Sequence, residues 1–243
     1  MPLAERSGSK KIVVLKTGDP VPRVAETRGQ FADLIIASIG DAFRGEYEVV
    51  DVRTEAPPDP GSAAMFVITG SSANVPHREP WMLRTEAFLR DVVARDTPTL
   101  GICFGHQILA QALGGEVQKN PRGREIGTLT IEQTAPDFIF EGVTASFEAN
   151  GTHIDTVVRL PHGAVSLARS PLDDFQAIRF TETCYGVQYH PEMDADVIRA
   201  YLEARREIVA AEGFDVDALL AGVGEGEPGR RTLKNFVRRF VTR

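Results

Sequence analysis

The sequence predicts an α/β protein with a doubly wound, mostly parallel central sheet flanked by helices, together with an added smaller β-sheet. Two observations support this fold class. In the first half of the chain, short apolar runs alternate with segments whose apolar residues repeat at helical spacing, which is typical of β-α-β units. In the second half, short strand-like runs follow one another with few helical segments between them, which favours mixed or antiparallel sheet.

The first half supplies four expected parallel strands. Their apolar runs lie, in chain order, at 11–15, 47–52, 65–68 and 100–104. Amphipathic patterns between the strands predict helices over 29–43 and 81–95, and the intervening loops contain glycine and proline. Because ligands of open α/β sheets bind beyond the carboxyl ends of parallel strands, we expect the functional residues at that edge.

The second half predicts strands and then helices. Strand-like runs lie at 116–118, 127–132, 138–140, 155–158, 164–168, 176–180 and 184–189. The pattern becomes helical from Ala195 to about Glu212, and a glycine-rich break precedes a basic amphipathic tail over 230–243. We therefore expect a flexible N-terminus over 1–10, one domain over 11–212, and a C-terminal helical extension over 213–243 packed on that domain.

Composition limits the function classes. Hydrophobic residues make up 42% of the chain and charged residues 25%, as in globular proteins. The formal net charge of −7 argues against nucleic-acid binding. No apolar stretch reaches the roughly 18 residues of a membrane span, which predicts a cytoplasmic protein without membrane contact. The two cysteines lack clustered histidines, so neither a structural disulfide nor a metal site is expected.

One segment predicts a nucleophile. The residues Gly-Ile-Cys-Phe-Gly-His-Gln over 101–107 follow an expected strand and open an expected helix, so that Cys103 lies at the tip of a tight turn. A side chain on such a turn projects into a cleft. Free N–H groups and the helix dipole at the start of a helix also stabilise a thiolate. The spacing therefore predicts a reactive cysteine.

A cysteine nucleophile needs a base, and the base needs an orienting group. Among the five histidines, His190 closes an apolar strand in Tyr-Gly-Val-Gln-Tyr-His-Pro-Glu over 185–192. Glu192 stands two residues further on, close enough to hydrogen-bond one imidazole nitrogen and leave the other facing the thiol. His106 is expected to pack beside the turn, and Cys184 is expected to be a buried apolar side chain.

These two segments, in this order and at this separation, resemble those of the class I glutamine amidotransferases, which use a Cys-His-Glu triad. Weaker similarity runs from about 11 to 200, and the chain is most similar to the glutaminase domain of GMP synthase and to stand-alone relatives of it. The resemblance implies a flavodoxin-like fold. It also implies that Cys103 attacks the side-chain amide of glutamine, that His190 transfers protons, and that Glu192 holds His190.

The same resemblance implies further roles. The oxyanion would be bound by the backbone N–H of Phe104 and by that of Gly70 or Ser71, and preorganised donors of this kind contribute roughly 3 kcal/mol each. Five residues are implied for substrate binding, with a structural role for Glu125 left open: Ser71, Gln107, Glu125, His153 and Asp155. The 152–155 segment has isoleucine where the family has glycine.

The expected function is a glutaminase that forms a γ-glutamyl thioester and releases ammonia. No cofactor is expected, because the nucleophile and the base are side chains. The sequence has neither a Ser-Gly-Gly-x-Asp-Ser nor a Gly-x-x-x-x-Gly-Lys-Ser/Thr phosphate loop. A separate ATP-dependent synthetase is therefore an expected partner. The alternatives are a γ-glutamyl peptidase that transfers no ammonia, and a binding protein on an inactive enzyme scaffold.

Overall fold

The computed structural model describes residues 11–241, so the expected flexible N-terminus over 1–10 lies outside the described residues. The strands are β1 Lys11–Lys16, β2 Glu46–Asp51, β3 Met65–Ile68, β4 Thr99–Ile102, β5 Glu116–Lys119, β6 Glu125–Gln133, β7 Ser146–His153, β8 Asp155–Arg159, β9 Val165–Arg169, β10 Ala177–Arg179 and β11 Cys184–Val187. The helices are α1 Pro22–Arg28, α2 Phe31–Ile39, α3 Pro80–Ala94, α4 Phe104–Ala112, α5 Ala195–Ala204, α6 Arg206–Ala211, α7 Val216–Ala221 and α8 Glu227–Val241.

A nine-stranded sheet forms the centre of the fold, in the order β2-β1-β3-β4-β11-β10-β9-β6-β7. The first five strands of that order pair in parallel. All four strands expected in the first half belong to this parallel part, and β11 joins it from the second half. The predicted fold class is confirmed. Strand β11 pairs with β4, so the ends of both strands lie side by side at one edge.

The second half extends the same sheet instead of building a large separate one. Strands β10, β9, β6 and β7 add to the parallel part through antiparallel pairs. The expected smaller sheet is present as the antiparallel pair β5–β8. Because β7 leads through one residue into β8, the chain passes directly from the large sheet to the small one at 153–155.

Several elements differ from the sequence patterns. The apolar run 138–140 is a 3-10 helix and not a strand, because the side chain of Asp137 accepts a hydrogen bond from the N–H of Ile139 at 3.2 Å and caps a tight turn. Strand β7 was not predicted, and its Asn-Gly pair accounts for the weak pattern. The expected helix over 195–212 is split into α5 and α6, α1 was not predicted, and α7 lies within the range of the expected C-terminal helical extension.

The sheet is covered on both faces, as a doubly wound fold requires. Alternate residues of β1 enter two different cores: Ile12 and Val14 pack on the side of α2 and α8, whereas Val13 and Leu15 pack on the side of α3 and α4. The C-terminal helix α8 covers one face through Leu233, Phe236 and Val237, which are buried. The domain boundaries stay a prediction.

Across residues 11–241, no helix has both the length and the apolar character needed to cross a bilayer.

Candidate active site

The turn at Cys103 has the geometry of a nucleophile elbow. Cys103 has φ 51° and ψ −102°, a left-handed conformation that costs a non-glycine residue about 1–3 kcal/mol. The flanking glycines make room for the turn. A Cβ on Gly101 would lie 2.3 Å from the carbonyl oxygen of Gly105, and a Cβ on Gly105 would lie 2.4 Å from that of Ile68. The Gly-x-Cys-x-Gly spacing therefore reflects contacts between backbones at the end of β4.

His190 and Glu192 meet Cys103 at this edge of the sheet. The Nδ1 atom of His190 lies 2.7 Å from Oε1 of Glu192, and both side chains are buried. The backbone N–H of His190 donates to the carbonyl of Asn150 in β7 at 2.8 Å, and the ring of Phe31 stacks on the imidazole with centroids 6.1 Å apart. With Nδ1 directed to the carboxylate, Nε2 is the nitrogen left for the thiol.

The charges at the site favour a thiolate–imidazolium pair. Burial raises the pKa of the Cys103 thiol, but the imidazolium of His190 and its hydrogen bond outweigh burial and hold that pKa below its usual value. Burial lowers the pKa of His190, and the charges of Glu192 and Cys103 more than reverse this, so the pKa is raised. In contrast, burial lowers the pKa of His106 to about 3, which keeps this ring neutral beside the turn.

The peptide between Thr69 and Gly70 is oriented by the residues around it. The carbonyl oxygen of Thr69 accepts the N–H of Gly105 at 3.2 Å and the hydroxyl of Thr17 at 2.9 Å. Because the peptide is planar and trans, its N–H points the other way. A Cβ on Gly70 would lie 2.9 Å from Cε1 of His190, so this backbone directly faces the base. The hydrogen bonds among residues 11–241 include none donated by the N–H of Gly70 or of Phe104.

A cavity of about 250 Å³ opens beside the thiol. Six of the residues predicted for the site line it: Ser71, Cys103, Gln107, His153, Asp155 and His190. Gln107 is anchored by its Nε2 atom, which donates to the carbonyl oxygen of Asp155 at 2.8 Å and to Oε1 of Gln188 at 3.0 Å. Burial raises the pKa of Asp155, whose buried Oδ2 has no hydrogen-bond partner within the described part of the chain.

Glu125 was expected among the substrate-binding residues, and the structure places it behind the cavity. Its carboxylate contacts the Nε2 atom of His153 at 3.0 Å, the hydroxyl of Ser170 at 2.7 Å and the side-chain amide of Gln176 at 2.7 Å. All four side chains are buried, and of these only His153 reaches the cavity lining. Glu125 therefore supports His153 and does not contact the cavity.

Two arginines of the cavity were missed by the sequence analysis. Arg205 is half-buried; its guanidinium donates to the hydroxyl of Thr152 at 2.9 Å and lies 5.1 Å from the ring centroid of Tyr201. No carboxylate of residues 11–241 forms an ion pair with it. Arg124 also lines the cavity, but its charge is balanced by a bidentate pair with Glu212 at 2.7 and 2.9 Å. An arginine that stands outside any motif gives no sign in the sequence that it lines a binding cavity.

The chain belongs to the class I glutamine amidotransferase family, whose model matches residues 46–205. That range contains the cysteine turn, both other members of the predicted triad and the whole parallel core apart from β1. The family resemblance that the two motifs carried is thereby confirmed.

Curated relatives within this family have different names. The chain is 35% identical over 176 residues to the GMP synthase (glutamine-hydrolysing) of Aeropyrum pernix, an alignment that covers 70% of this chain and 32% of that protein. It is 32% identical to a GMP synthase (glutamine-hydrolysing) subunit of Methanosarcina acetivorans, over 70% of this chain and 86% of the relative. It is 31% identical to γ-glutamyl peptidase 4 of Arabidopsis thaliana, over 71% of this chain and 72% of that protein. The match thus spans about a third of the Aeropyrum protein.

Solved structures share the fold. A glutamine amidotransferase of Thermotoga maritima superposes with a TM-score of 0.76 over 96% of this chain and 98% of the other, at 19% identity. This similarity supports the architecture described above.

Proposed function

We propose that this protein hydrolyses the side-chain amide of glutamine through a γ-glutamyl thioester on Cys103 and releases ammonia. The observation that carries the proposal is the arrangement of Cys103 on its elbow with His190, which is hydrogen-bonded to Glu192 at 2.7 Å. The thiol proton passes to Nε2 of His190, and the thiolate attacks the amide carbon. His190 then protonates the departing amine, the C–N bond breaks, and the thioester remains.

The second half of the reaction uses the same groups. His190, now neutral, removes a proton from water, the resulting hydroxide attacks the thioester carbon, and Cys103 leaves as thiolate with glutamate as product. In both halves a tetrahedral oxyanion forms. The N–H groups of Gly70 and Phe104 are its proposed donors, because neither is used by another hydrogen bond of the described residues and Gly70 faces His190.

The cavity's charges favour an amino acid as substrate. Asp155 presents a buried carboxylate oxygen without a hydrogen-bond partner among residues 11–241, and Arg205 presents a guanidinium without an ionic partner in that range. A substrate with both an ammonium and a carboxylate would satisfy both groups. We propose that they bind the amino-acid end of glutamine, with Ser71, Gln107 and His153 shaping the cavity around the side chain.

The released ammonia is proposed to serve a separate synthetase. The Methanosarcina relative is by name one subunit of a GMP synthase, and so part of a larger enzyme. The test uses this protein together with an ATP-dependent synthetase purified from the same organism. The mixture receives glutamine labelled with ¹⁵N in its amide group and an excess of unlabelled ammonium. Transfer of ammonia within a complex would give labelled product. Label diluted to the level of the bulk ammonium would contradict it.

A γ-glutamyl peptidase is the second candidate, supported by the relative of that name. Purified protein incubated with glutamine and with γ-glutamyl dipeptides, with ammonia and free glutamate measured separately, distinguishes the two. Fast peptide cleavage with negligible ammonia from glutamine would reject the glutaminase. The Cys103→Ala variant must lose either activity and keep its fold; retained turnover would reject the thioester mechanism.

A further inference from the structure

A buried group of polar residues lies behind the active-site cavity, centred on His153. Its other members are Glu125 in β6 and three residues of the segment that joins β9 to β10: Ser170, Asp173 and Gln176. Each of the five is at most 5% exposed. Ionisable groups this deeply buried are rare unless they are paired, and the hydrogen bonds show where the protons reside.

Both ring nitrogens of His153 face acceptors. Nδ1 lies 3.0 Å from the backbone carbonyl oxygen of Asp155, which has no proton to give, so Nδ1 must carry the hydrogen. Nε2 lies 3.0 Å from Oε2 of Glu125. Whether Nε2 also carries a proton depends on whether Glu125 is ionised.

The partners of Glu125 favour its carboxylate form. Its Oε2 also accepts from the amide nitrogen of Gln176 at 2.7 Å, and an amide nitrogen only donates. Its Oε1 lies 2.7 Å from the hydroxyl of Ser170, which accepts from the backbone N–H of Asp173 at 3.0 Å and so directs its own proton to Glu125. Two donors besides His153 thus hydrogen-bond to the carboxylate form of Glu125 and stabilise it, which favours the arrangement in which Nε2 of His153 carries the proton.

His153 lies next to the nucleophile, whereas its carboxylates do not. The Sγ atom of Cys103 is 3.9 Å from the backbone carbonyl oxygen of Thr152, the residue before His153. Both Cys103 and His153 line the cavity, and Glu125 and Asp173 lie outside the lining. The titratable groups that face His153 are Glu125, Asp173 with Oδ2 at 4.0 Å, Asp155, Cys103 and the neutral His106.

We propose that His153 is a positioning residue held as an imidazolium by Glu125, and that this fixed positive charge stabilises the thiolate of Cys103 in addition to His190. The inference rests on the proposed function for its catalytic meaning. It assigns His153 a task that His190 cannot perform throughout the reaction. Once His190 has given its proton to the departing amine, it is neutral until it takes a proton from water, and His153 remains positive throughout that interval.

The pKa shifts agree with this geometry. Burial lowers the pKa of His153, and the hydrogen bond and charge of Glu125, together with the charge of Asp173, more than compensate, so that the pKa is raised. Burial raises the pKa of Cys103, and the charges of His190 and then His153 lower it. One side-chain ligand atom from each of Glu125, His153 and Asp173 lies within 4.8 Å of the other two, a spacing that could hold a metal ion. In our proposal the imidazolium of His153 supplies the positive charge at that place.

The first test uses the unmodified protein. Two-dimensional ¹H–¹⁵N spectra of the histidine side chains, recorded from pH 6 to 9, are expected to show protons on both Nδ1 and Nε2 of His153 at pH 7. His106 is expected to remain neutral throughout. A neutral tautomer of His153 at pH 7 would overturn the proposal. Because the protein is unmodified, this result does not depend on whether a substituted protein folds.

The second test measures the thiol. The rate of Cys103 alkylation by iodoacetamide against pH gives its pKa, and the buried Cys184 does not compete. Glu125→Gln removes the charge that holds the imidazolium and is expected to raise the pKa of Cys103 by about one unit. Thr232→Val in helix α8 is the matched control, because it removes a buried hydrogen bond to the hydroxyl of Tyr189 but no charge, and it is expected to leave the alkylation profile unchanged.

These outcomes separate the two proposals. An unchanged profile in folded Glu125→Gln protein refutes the role of His153, whatever the enzyme hydrolyses. A doubly protonated His153 and a shifted profile, in a protein that hydrolyses neither glutamine nor γ-glutamyl peptides, would support the inference and contradict the proposed function.

Discussion

At the scale of single residues, the site consists of charges that are balanced in pairs inside a buried volume. Glu192 balances His190, Glu125 balances His153, and Glu212 balances Arg124. Two cavity groups have no such partner among residues 11–241: the guanidinium of Arg205 and Oδ2 of Asp155. Unpaired buried charge is costly, so a ligand that pairs both groups gains binding energy from their positions.

The first prediction concerns Glu192. Glu192→Gln keeps the shape of the side chain and removes the charge that raises the pKa of His190. With a lower pKa, His190 is less often protonated at neutral pH, and the thiolate of Cys103 loses its partner. We expect kcat/KM for glutamine at pH 7 to fall by about 10²–10⁴-fold, with the onset of iodoacetamide alkylation at higher pH.

The control for Glu192 is Glu203→Gln, which removes a surface carboxylate paired with Arg23. This variant should keep both kcat/KM and the alkylation profile. If Glu192→Gln behaves like Glu203→Gln, Glu192 does not orient the base.

The second prediction concerns Arg205. Arg205→Met keeps much of the apolar contact with Tyr201 and removes the cation from the cavity. If the guanidinium binds the carboxylate of the amino-acid end, KM for glutamine should rise about 10- to 100-fold while kcat changes little, because binding is lost equally in the ground and transition states. Steady-state kinetics measure both constants.

The neighbouring Arg206 provides the matched control, since it is exposed and pairs with Asp217. Arg206→Met should leave KM unchanged. A KM of Arg205→Met equal to that of the parent protein would remove Arg205 from the substrate site.

At the scale of elements, the parallel strands and the cysteine turn follow from local patterns, and much of the rest does not. Strand β3 and the interior of β1 are continuous apolar runs because both faces of these strands are buried, and such runs are readable from the sequence. Strand β7 has the sequence Ser-Phe-Glu-Ala-Asn-Gly-Thr-His, whose polar residues form tertiary hydrogen bonds. The side-chain amide of Asn150, for example, donates to the carbonyl oxygens of Met193 and Gly224, which lie in distant parts of the chain.

The site shows the same division. Cys103, His190 and Glu192 stand in two compact motifs. Both motifs are recognisable in the sequence, so the sequence alone predicts that these three residues act together. The partners of His153 come from segments separated by up to 51 residues, and Arg205 has no neighbouring motif at all. Their proximity depends on the pairing of β6 with β7 and on the packing of α5, which no local pattern specifies.

The third prediction tests the elbow as an element. Gly101→Ala introduces a Cβ only 2.3 Å from the backbone of Gly105, where no flexible side chain can give way. Strand β4 and helix α4 would have to separate, so we expect a loss of about 3 kcal/mol or more in the free energy of unfolding. Urea denaturation followed by circular dichroism measures this loss.

Gly222→Ala is the corresponding control, because its Cβ would lie 3.5 Å from the nearest atom and its φ is −86°. Its free energy of unfolding should change by less than about 1 kcal/mol. Equal stability of the two variants would show that β4 and α4 are not in the close contact described.

At the scale of the whole molecule, the sheet separates two cores and connects them. Phe236 of α8 packs against Tyr185 of β11 with ring centroids 5.4 Å apart, on one face of the sheet. Trp81, the single tryptophan of the chain, stacks on Phe104 at 5.6 Å on the other face. The tryptophan therefore reports on the core that α8 does not touch.

This placement gives a test of whether α8 is an appendage or part of one cooperative unit. Phe236→Ala should reduce the free energy of unfolding by about 3–5 kcal/mol, because a fully buried ring is removed. If the molecule unfolds as one unit, the urea midpoint seen by Trp81 fluorescence must fall as far as the midpoint seen by circular dichroism. Arg238→Ala, which loses an exposed ion pair with Asp41 at 3.5 Å, should shift either midpoint little. A tryptophan midpoint that stays in place while the circular dichroism midpoint falls would instead mean that α8 and its core unfold separately from the face that contains the cysteine helix.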